Sequence, residues 1–342
     1  MPSLTIVTPQ TALSLKSQSI LIKPLNKDGA HPTQVALDAI SQVTISKDVH
    51  ISSAVIHALL TRKIPLHFMD WNGAFLGSFQ PPSPPRAKTR LRQYELSNRP
   101  EEMLPLAQRL ILSKMHNEQR IVQRLFQRTH QPKDSSAIAQ MKALVAQCLH
   151  ATSLESLRGL EGCHAKVFFS TWGGFLPPEF PFGERSTQPP ANPVNAAISY
   201  LSAILYSELL SATRNAGLDE ALGVLHTPTE DRYSLPLDLM EPFRPAIIYP
   251  LVAKLFNQQI LKAENFEAHE QGIWLTSEGK RSLQQQYEKM MIREFYSSHL
   301  DHRTTLRTQL EKAPMLYKLA LDSPQAFLPF QLNGTPKTEC PR

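Results

Sequence analysis

Three places in this chain set titratable side chains among apolar neighbours. Glu161 lies in Leu157-Arg158-Gly159-Leu160-Glu161-Gly162, with Leu157, Leu160, Val167 and Phe168 at helical spacing around it. His226 follows Ala221-Leu222-Gly223-Val224-Leu225. Asp238 and Glu241 stand three apart in Leu237-Asp238-Leu239-Met240-Glu241-Pro242-Phe243-Arg244-Pro245, a spacing that puts both on one helix face. Burying an unpaired carboxylate is costly. Each acid therefore needs an arginine or hydrogen-bond donors, or several acids converge on a cation. Oxygen ligands with one imidazole suit Mg²⁺ or Mn²⁺ better than a structural zinc. Such a site activates a hydroxyl and stabilises charge on a phosphate in transfer. Two plainer readings stand beside this one: an ion pair between Glu241 and Arg244, also three apart, and a hydrogen-bonded core histidine at 226.

Glu161-Gly162-Cys163-His164 also carries Glu-x-x-His, the half-motif of di-iron carboxylate bundles. A di-iron site needs a second copy. Of the twelve histidines only His164 has a glutamate three residues before it, which removes most of the case for a di-iron oxidoreductase.

Charge points to a polyanionic partner. The chain of 342 residues has a net charge of +6 and a pI near 9.2. Residues 86–128 hold ten Lys/Arg against four acids, a surplus equal to that of the whole chain. Within that window His116, Arg120, Arg124 and Arg128 recur at four-residue steps, a stripe that suits either a solvated helix face or phosphate contact. Hydrophobic residues make up 42%, which excludes disorder throughout. Three scattered cysteines with no CxxC indicate neither a disulfide framework nor a zinc knuckle. No signal peptide and no membrane-length apolar run is present, so a reduced cytoplasmic setting is the expectation.

The elements that must position these residues divide the chain. Residues 1–80 read as β, with short alternating runs at 4–8, 19–22, 42–46, 65–69 and 74–79. Asn72-Gly73 predicts a hairpin, and residues 52–62 a short helix with Val55, Ile56, Leu59 and Leu60 inward. The expectation is an α+β fold: a small N-terminal β-sandwich domain with a short helix, then a larger all-α catalytic domain. The proline run at 81–85 starts a linker over 81–100, the all-α domain covers 101–320, and 321–342 reads as a loose tail. Within the large domain Leu106, Leu110, Ile111, Met115, Ile121, Val122 and Leu125 keep helical period, residues 136–160 continue it, and Asn192-Pro193 caps a strong helix that ends at Gly217. Further helical patterns cover 236–258 and 277–320.

Several stretches, in order, resemble the CRISPR-associated spacer-integration nucleases, the first of the core Cas proteins. They include Lys63-Ile64-Pro65-Leu66-His67-Phe68-Met69-Asp70, Gly159-Leu160-Glu161-Gly162, Pro189-Pro190-Ala191-Asn192-Pro193-Val194-Asn195-Ala196, Ala216-Gly217-Leu218-Asp219, and above all the run from His226 to Arg244. The resemblance implies an N-terminal β domain and a helical catalytic domain. It implies one divalent metal, Mg²⁺ or Mn²⁺, held by Glu161, His226 and Glu241, with Asp238 at a second acidic position near it. It implies a homodimer, two of which clamp a dimer of the second core Cas protein into a heterohexamer. That assembly joins the 3′-OH ends of a short DNA duplex to the CRISPR repeat by transesterification. Arg185, Arg244, Arg120 and Arg124 are the candidate DNA contacts. The departures are few: Asn192 stands where relatives often carry aspartate, fewer arginines precede the proline pair, and Cys163-His164 replace small residues. A non-catalytic DNA-binding scaffold and a branched-DNA repair nuclease are the alternatives.

Overall fold

The computed structural model describes residues 2–333 apart from 27–30, 71–72, 74, 83–85, 130–134, 188, 270–271 and 298–299. Its first part is a sandwich of two four-stranded sheets. One runs in the order β1(Ser3–Ile6), β5(Gln42–Ile45), β7(Leu66–Met69), β8(Phe75–Phe79). The other runs β4(Thr33–Ala36), β3(Ser19–Pro24), β2(Thr11–Lys16), β6(Val49–Ile51). Ile6, Leu13, Ile20, Val43, Ile45 and Leu66 from both sheets share one core with Val55 and Leu59 of α1(Ser53–Thr61). The expected hairpin is present as the antiparallel β7–β8 pair; Asn72 at its tip lies outside the described residues. Gly73 is at φ +87°, and a Cβ there would meet the Tyr200 ring at 2.3 Å, so only glycine fits the turn.

The larger part is built on helices. The stretch 81–100 is more than a linker: it contains α2(Ala87–Ser97), which Gln93 ties to the main chain of Asp219 in both directions, at 3.1 and 2.8 Å. α3(Pro100–Thr129) buries Leu106, Leu110, Ile111, Met115, Ile121 and Val122. The helical pattern at 136–160 is two helices, α4(Ser135–Cys148) and α5(Leu154–Gly173), because Ser153 caps α5 by accepting from the Ser156 amide at 3.1 Å. α6(Pro193–Ala216) is the central helix, buried almost all round. Its ends are as the sequence indicates: Asn192 accepts from the Asn195 amide and Gly217 closes it at φ 76°.

α7(Ser234–Met240) leads through a wide π turn at Arg244–Ile248 into α8(Tyr249–Asn257). The large part is not purely helical. β9(Phe266–His269) pairs with β10(Gly272–Leu275), and β11(Glu294–Ser297) with β12(His302–Thr305). The second hairpin separates α9(Ser277–Met291) from α10(Leu306–Ala320), because Phe295, Tyr296, Thr304 and Thr305 favour strand and Thr305 then caps α10. Among the described residues no helix is long and apolar enough to cross a membrane.

A buried polar chain joins the two parts. Gln42 of β5 donates to Glu208 of α6 at 3.1 Å, Arg307 of α10 binds Glu208 at 3.2 Å and Glu288 of α9 at 2.8 Å, and Glu288 accepts the Ser3 amide at 3.0 Å. Of the expected tail, residues 334–342 lie outside the described residues, and the part before them is built in. Residues 321–333 do not hang loose: Phe327 and Phe330 are buried, and Phe330 stacks on Phe243 at 4.7 Å with the rings 9° apart. Carbonyls of this strap take donors from α3, namely Arg109 to Phe327 at 3.1 Å, and Ser113 and Asn117 to Phe330.

Candidate active site

α3, α5 and the 217–248 segment meet at one point. α5 carries Glu161 at its middle and is seated by aromatic packing. Phe168, Phe169 and Trp172 surround Tyr249 with ring centroids 5.1, 5.3 and 5.7 Å away. One turn before Glu161, Arg158 donates to the Leu225 carbonyl at 2.9 Å and to Thr227 Oγ1 at 3.2 Å. The helix that bears the glutamate therefore holds the loop that bears His226.

That loop is wrapped around Asp238. The fully buried carboxylate accepts the amides of Val224, Leu225 and His226 at 2.5, 2.9 and 2.9 Å, and the His226 Nδ1 at 2.6 Å. These four donors serve both of its oxygens. They also fix Nδ1 as the protonated ring nitrogen and leave the Nε2 lone pair outward, the arrangement of a ligating histidine. Gly223 makes room for this: a Cβ there would lie 2.5 Å from Asp238 Oδ2.

Glu241, at the C-terminal end of α7, is buried between two cations. Oε1 is 3.4 Å from Arg244 Nε, and Oε2 is 2.6 Å from Lys114 Nζ, an ion pair without a well-aligned hydrogen bond. Burial alone would push the Glu241 carboxyl up. The Lys114 ammonium and Arg244 guanidinium, with His226 behind them, more than reverse this and hold it at about 2. The same Nζ binds Glu161 Oε1. Burial would strip the Lys114 charge, but Glu241, Glu161 and Glu118 keep it well above the ordinary lysine range.

Beside this cluster Arg185 donates to Asn195 Oδ1 and Ser199 Oγ, both at 3.0 Å, and has no carboxylate partner among the described residues. Burial, and secondarily the nearby Arg244, draw it down to about 10, against the pull of Tyr249. Arg185 and Arg244 are near enough for their charges to repel, which brings two fork donors suited to phosphate oxygens beside the cluster.

Among the described residues no three His, Cys, Asp or Glu side chains converge closely enough to hold a metal as they stand. The donors nevertheless fit a hard divalent cation. Glu161 and Glu241, from separate helices, already share one cation, Glu241 Oε2 lacks an aligned donor, and His226 contributes to the field at Glu241.

Of the residues singled out from sequence, Glu161, His226, Asp238, Glu241 and Arg244 come together here, and Arg185 adjoins them. Asp238 spends its carboxylate on the His226 loop. Arg120 and Arg124 lie further along α3 and donate to the Asn333 carbonyl at 3.2 and 3.4 Å, so the stripe they form is covered in part by the strap. Lys114 was not singled out; it sits within the basic run, and nothing in the sequence separates it from solvated neighbours. Glu118 pairs with His164 at 2.7 Å, both fully buried, one turn along α3 and α5 from Lys114 and Glu161. This explains His164: it is a buried link between the two site helices.

Comparisons with known proteins bear on the family and the fold. The model of the family described as CRISPR associated protein Cas1 matches residues 4–289. A CRISPR-associated endonuclease Cas1 of Thermus thermophilus is 29% identical over 311 residues, 90% of this chain and 93% of that protein. A casposase bound to integration product superposes with a TM-score of 0.82 at 20% identity, over 94% of this chain and 91% of that one. A Cas6-RT-Cas1–Cas2 complex chain superposes with a TM-score of 0.78 at 22% identity, over 97% of this chain and 36% of that one. The strand-rich first part, the helical second part and the matched sequence together place the chain in the Cas1 family of CRISPR-associated proteins.

Proposed function

We propose that the chain is a metal-dependent DNA integrase and endonuclease of CRISPR adaptation, joining 3′-OH ends of short spacer DNA to the CRISPR repeat by transesterification. The observation that carries this is the convergence of Glu161 and Glu241 on one cation beside an imidazole whose free nitrogen is fixed by Asp238. Glu161, His226 Nε2 and Glu241 would hold Mg²⁺ or Mn²⁺, which supplies Lewis-acid polarisation of a phosphodiester and lowers the pKa of an attacking hydroxyl. Asp238 orients His226, in line with its saturation by four donors, rather than binding the cation itself. Arg185 and Arg244 hold the non-bridging phosphate oxygens. Arg124, half-buried on α3, adds to the basic charge there, and Arg120 lies under the strap beside it, so affinity for DNA falls with salt.

The Thermus relative is called an endonuclease, one solved neighbour holds an integration product, and another is a complex with Cas2. By analogy the working form is a homodimer, two of which flank a dimer of the second core Cas protein, in the cytoplasm. The test mixes the purified chain with that partner, a labelled duplex with free 3′ ends and a plasmid bearing a repeat, with Mn²⁺ or EDTA. Covalent joining that needs metal supports the reading; DNA binding without joining in a complete mixture supports a non-catalytic scaffold instead.

A further inference from the structure

Lys114 occupies the place between two carboxylates that a bridging cation would take. Its Nζ binds Glu161 Oε1 and lies 2.6 Å from Glu241 Oε2. Arg244 holds only the opposite oxygen of Glu241, at 3.4 Å. The two cations therefore divide the work: Arg244 sits at the outer edge, and Lys114 in the gap that both acids face.

Resting on the metal reading above, we propose that Lys114 is an internal counter-cation that competes with the divalent ion for Glu161 and Glu241 and so sets the affinity of the site. Charge favours the exchange. The Lys114 ammonium already lies against an oxygen of Glu161 and an oxygen of Glu241, so a divalent ion entering between the same two carboxylates beside an unmoved ammonium would put like charges in contact. Structure makes the exchange feasible. The lysine stem is unbranched and flexible, whereas the planar Arg244 guanidinium is also held beside Tyr249. The Lys114 backbone is fixed by its neighbours Ile111 and Met115, both fully buried, so the ammonium can swing while its root stays in place.

Two consequences have opposite signs, which separates this role from simple support. Without the ammonium, the empty site keeps the buried Glu241 and the half-buried Glu161 facing each other with only Arg244 on the far oxygen of Glu241, so the metal-free protein loses stability. The same loss removes the competitor, so metal binds more tightly. A lysine that merely propped the ligands in place would, on removal, weaken metal binding.

The experiment titrates Mn²⁺ into full-length wild type, Lys114→Met and Lys114→Gln, with free Mn²⁺ followed by electron paramagnetic resonance and melting followed with and without metal. Lys114→Gln is included because it keeps a polar end should the methionine variant fail to fold. The expected result is Mn²⁺ affinity at least tenfold above wild type, a lower melting temperature without metal, and a larger metal-induced rise. Wild type that binds Mn²⁺ with variants equal or weaker overturns the role of Lys114 alone. Absence of Mn²⁺ binding in all three proteins overturns the metal reading, and this inference with it.

Discussion

The Nδ1 of His226 lies 2.6 Å from Oδ1 of Asp238, and that one contact sets which ring nitrogen faces the cluster. Asp238→Asn keeps the shape but can present an N–H to Nδ1, which favours the other tautomer. Mn²⁺ affinity should fall 10–100-fold, the usual cost of losing such a support. Calorimetric titration checks this. An unchanged affinity would mean that His226 does not need the support.

Glycine at 223 is demanded by the same cradle. Gly223→Ala would press a methyl against Asp238 Oδ2 at 2.5 Å and against Ser234 Cβ at 2.9 Å. The expected cost is about 1–3 kcal/mol of stability, read from urea unfolding, together with a loss of metal affinity resembling that of Asp238→Asn.

Removing the glutamate of α5 should separate folding from chemistry. Glu161 is half-exposed, and Lys114 retains Glu241 when it is gone. Glu161→Ala should melt within a few degrees of wild type and abolish metal-dependent strand transfer. Joining at the wild-type rate would remove Glu161 from the site.

The polar chain that joins the two parts predicts a pH dependence. Burial pushes the Glu208 carboxyl up to about 7, because Arg307, which pulls it down, is shared with Glu288. Arg307 has a burial cost of its own but is held above the ordinary arginine range by Glu208 and Glu288 together, so the guanidinium stays charged while Glu208, with one shared partner, shows the net rise. Since the folded pKa exceeds the unfolded value of 4.5, the folded state binds the extra proton between those values. Stability from this group is fully present below about pH 4.5 and is lost as pH rises through about 7. Glu208→Gln should flatten that part of the stability profile by about 1–3 kcal/mol, measured by denaturant unfolding from pH 5 to 8.

The strap is tested by Phe330→Ala. It deletes a buried ring stacked on Phe243, two residues from Glu241, and should cost about 3–5 kcal/mol. Thermal unfolding checks the loss.

Much of this was legible in the sequence because it rests on local rules. The Asn192 cap, the Gly217 terminus and the inward stripe of α3 follow from side-chain chemistry and period, and the run from His226 to Arg244 marks the family. β2, β4 and β6 were not foreseen: β2 turns into β3 through Ser17-Gln18, where serine rather than glycine takes the positive φ, β4 is a short strand on the edge of the sheet, and the three residues of β6 pair only with the distant β2. Lys114 was hidden because a buried lysine and a solvated one look alike until the acids facing it, 47 and 127 positions away, are brought to it by the fold. Arg120 and Arg124 read as an open stripe because their cover, Asn333, is equally remote.

That remoteness has a consequence for synthesis. A ribosome releases Lys114, Glu161, His226 and Glu241 in turn, and only afterwards the segment from Phe327 to Asn333 that fastens down α3 beside them. A nascent chain can thus carry every reactive side chain before the strap is available, and a message cut short before Phe327 would leave Arg109 and Ser113 of α3 without the strap carbonyls they bind and Asn117 without one of its two.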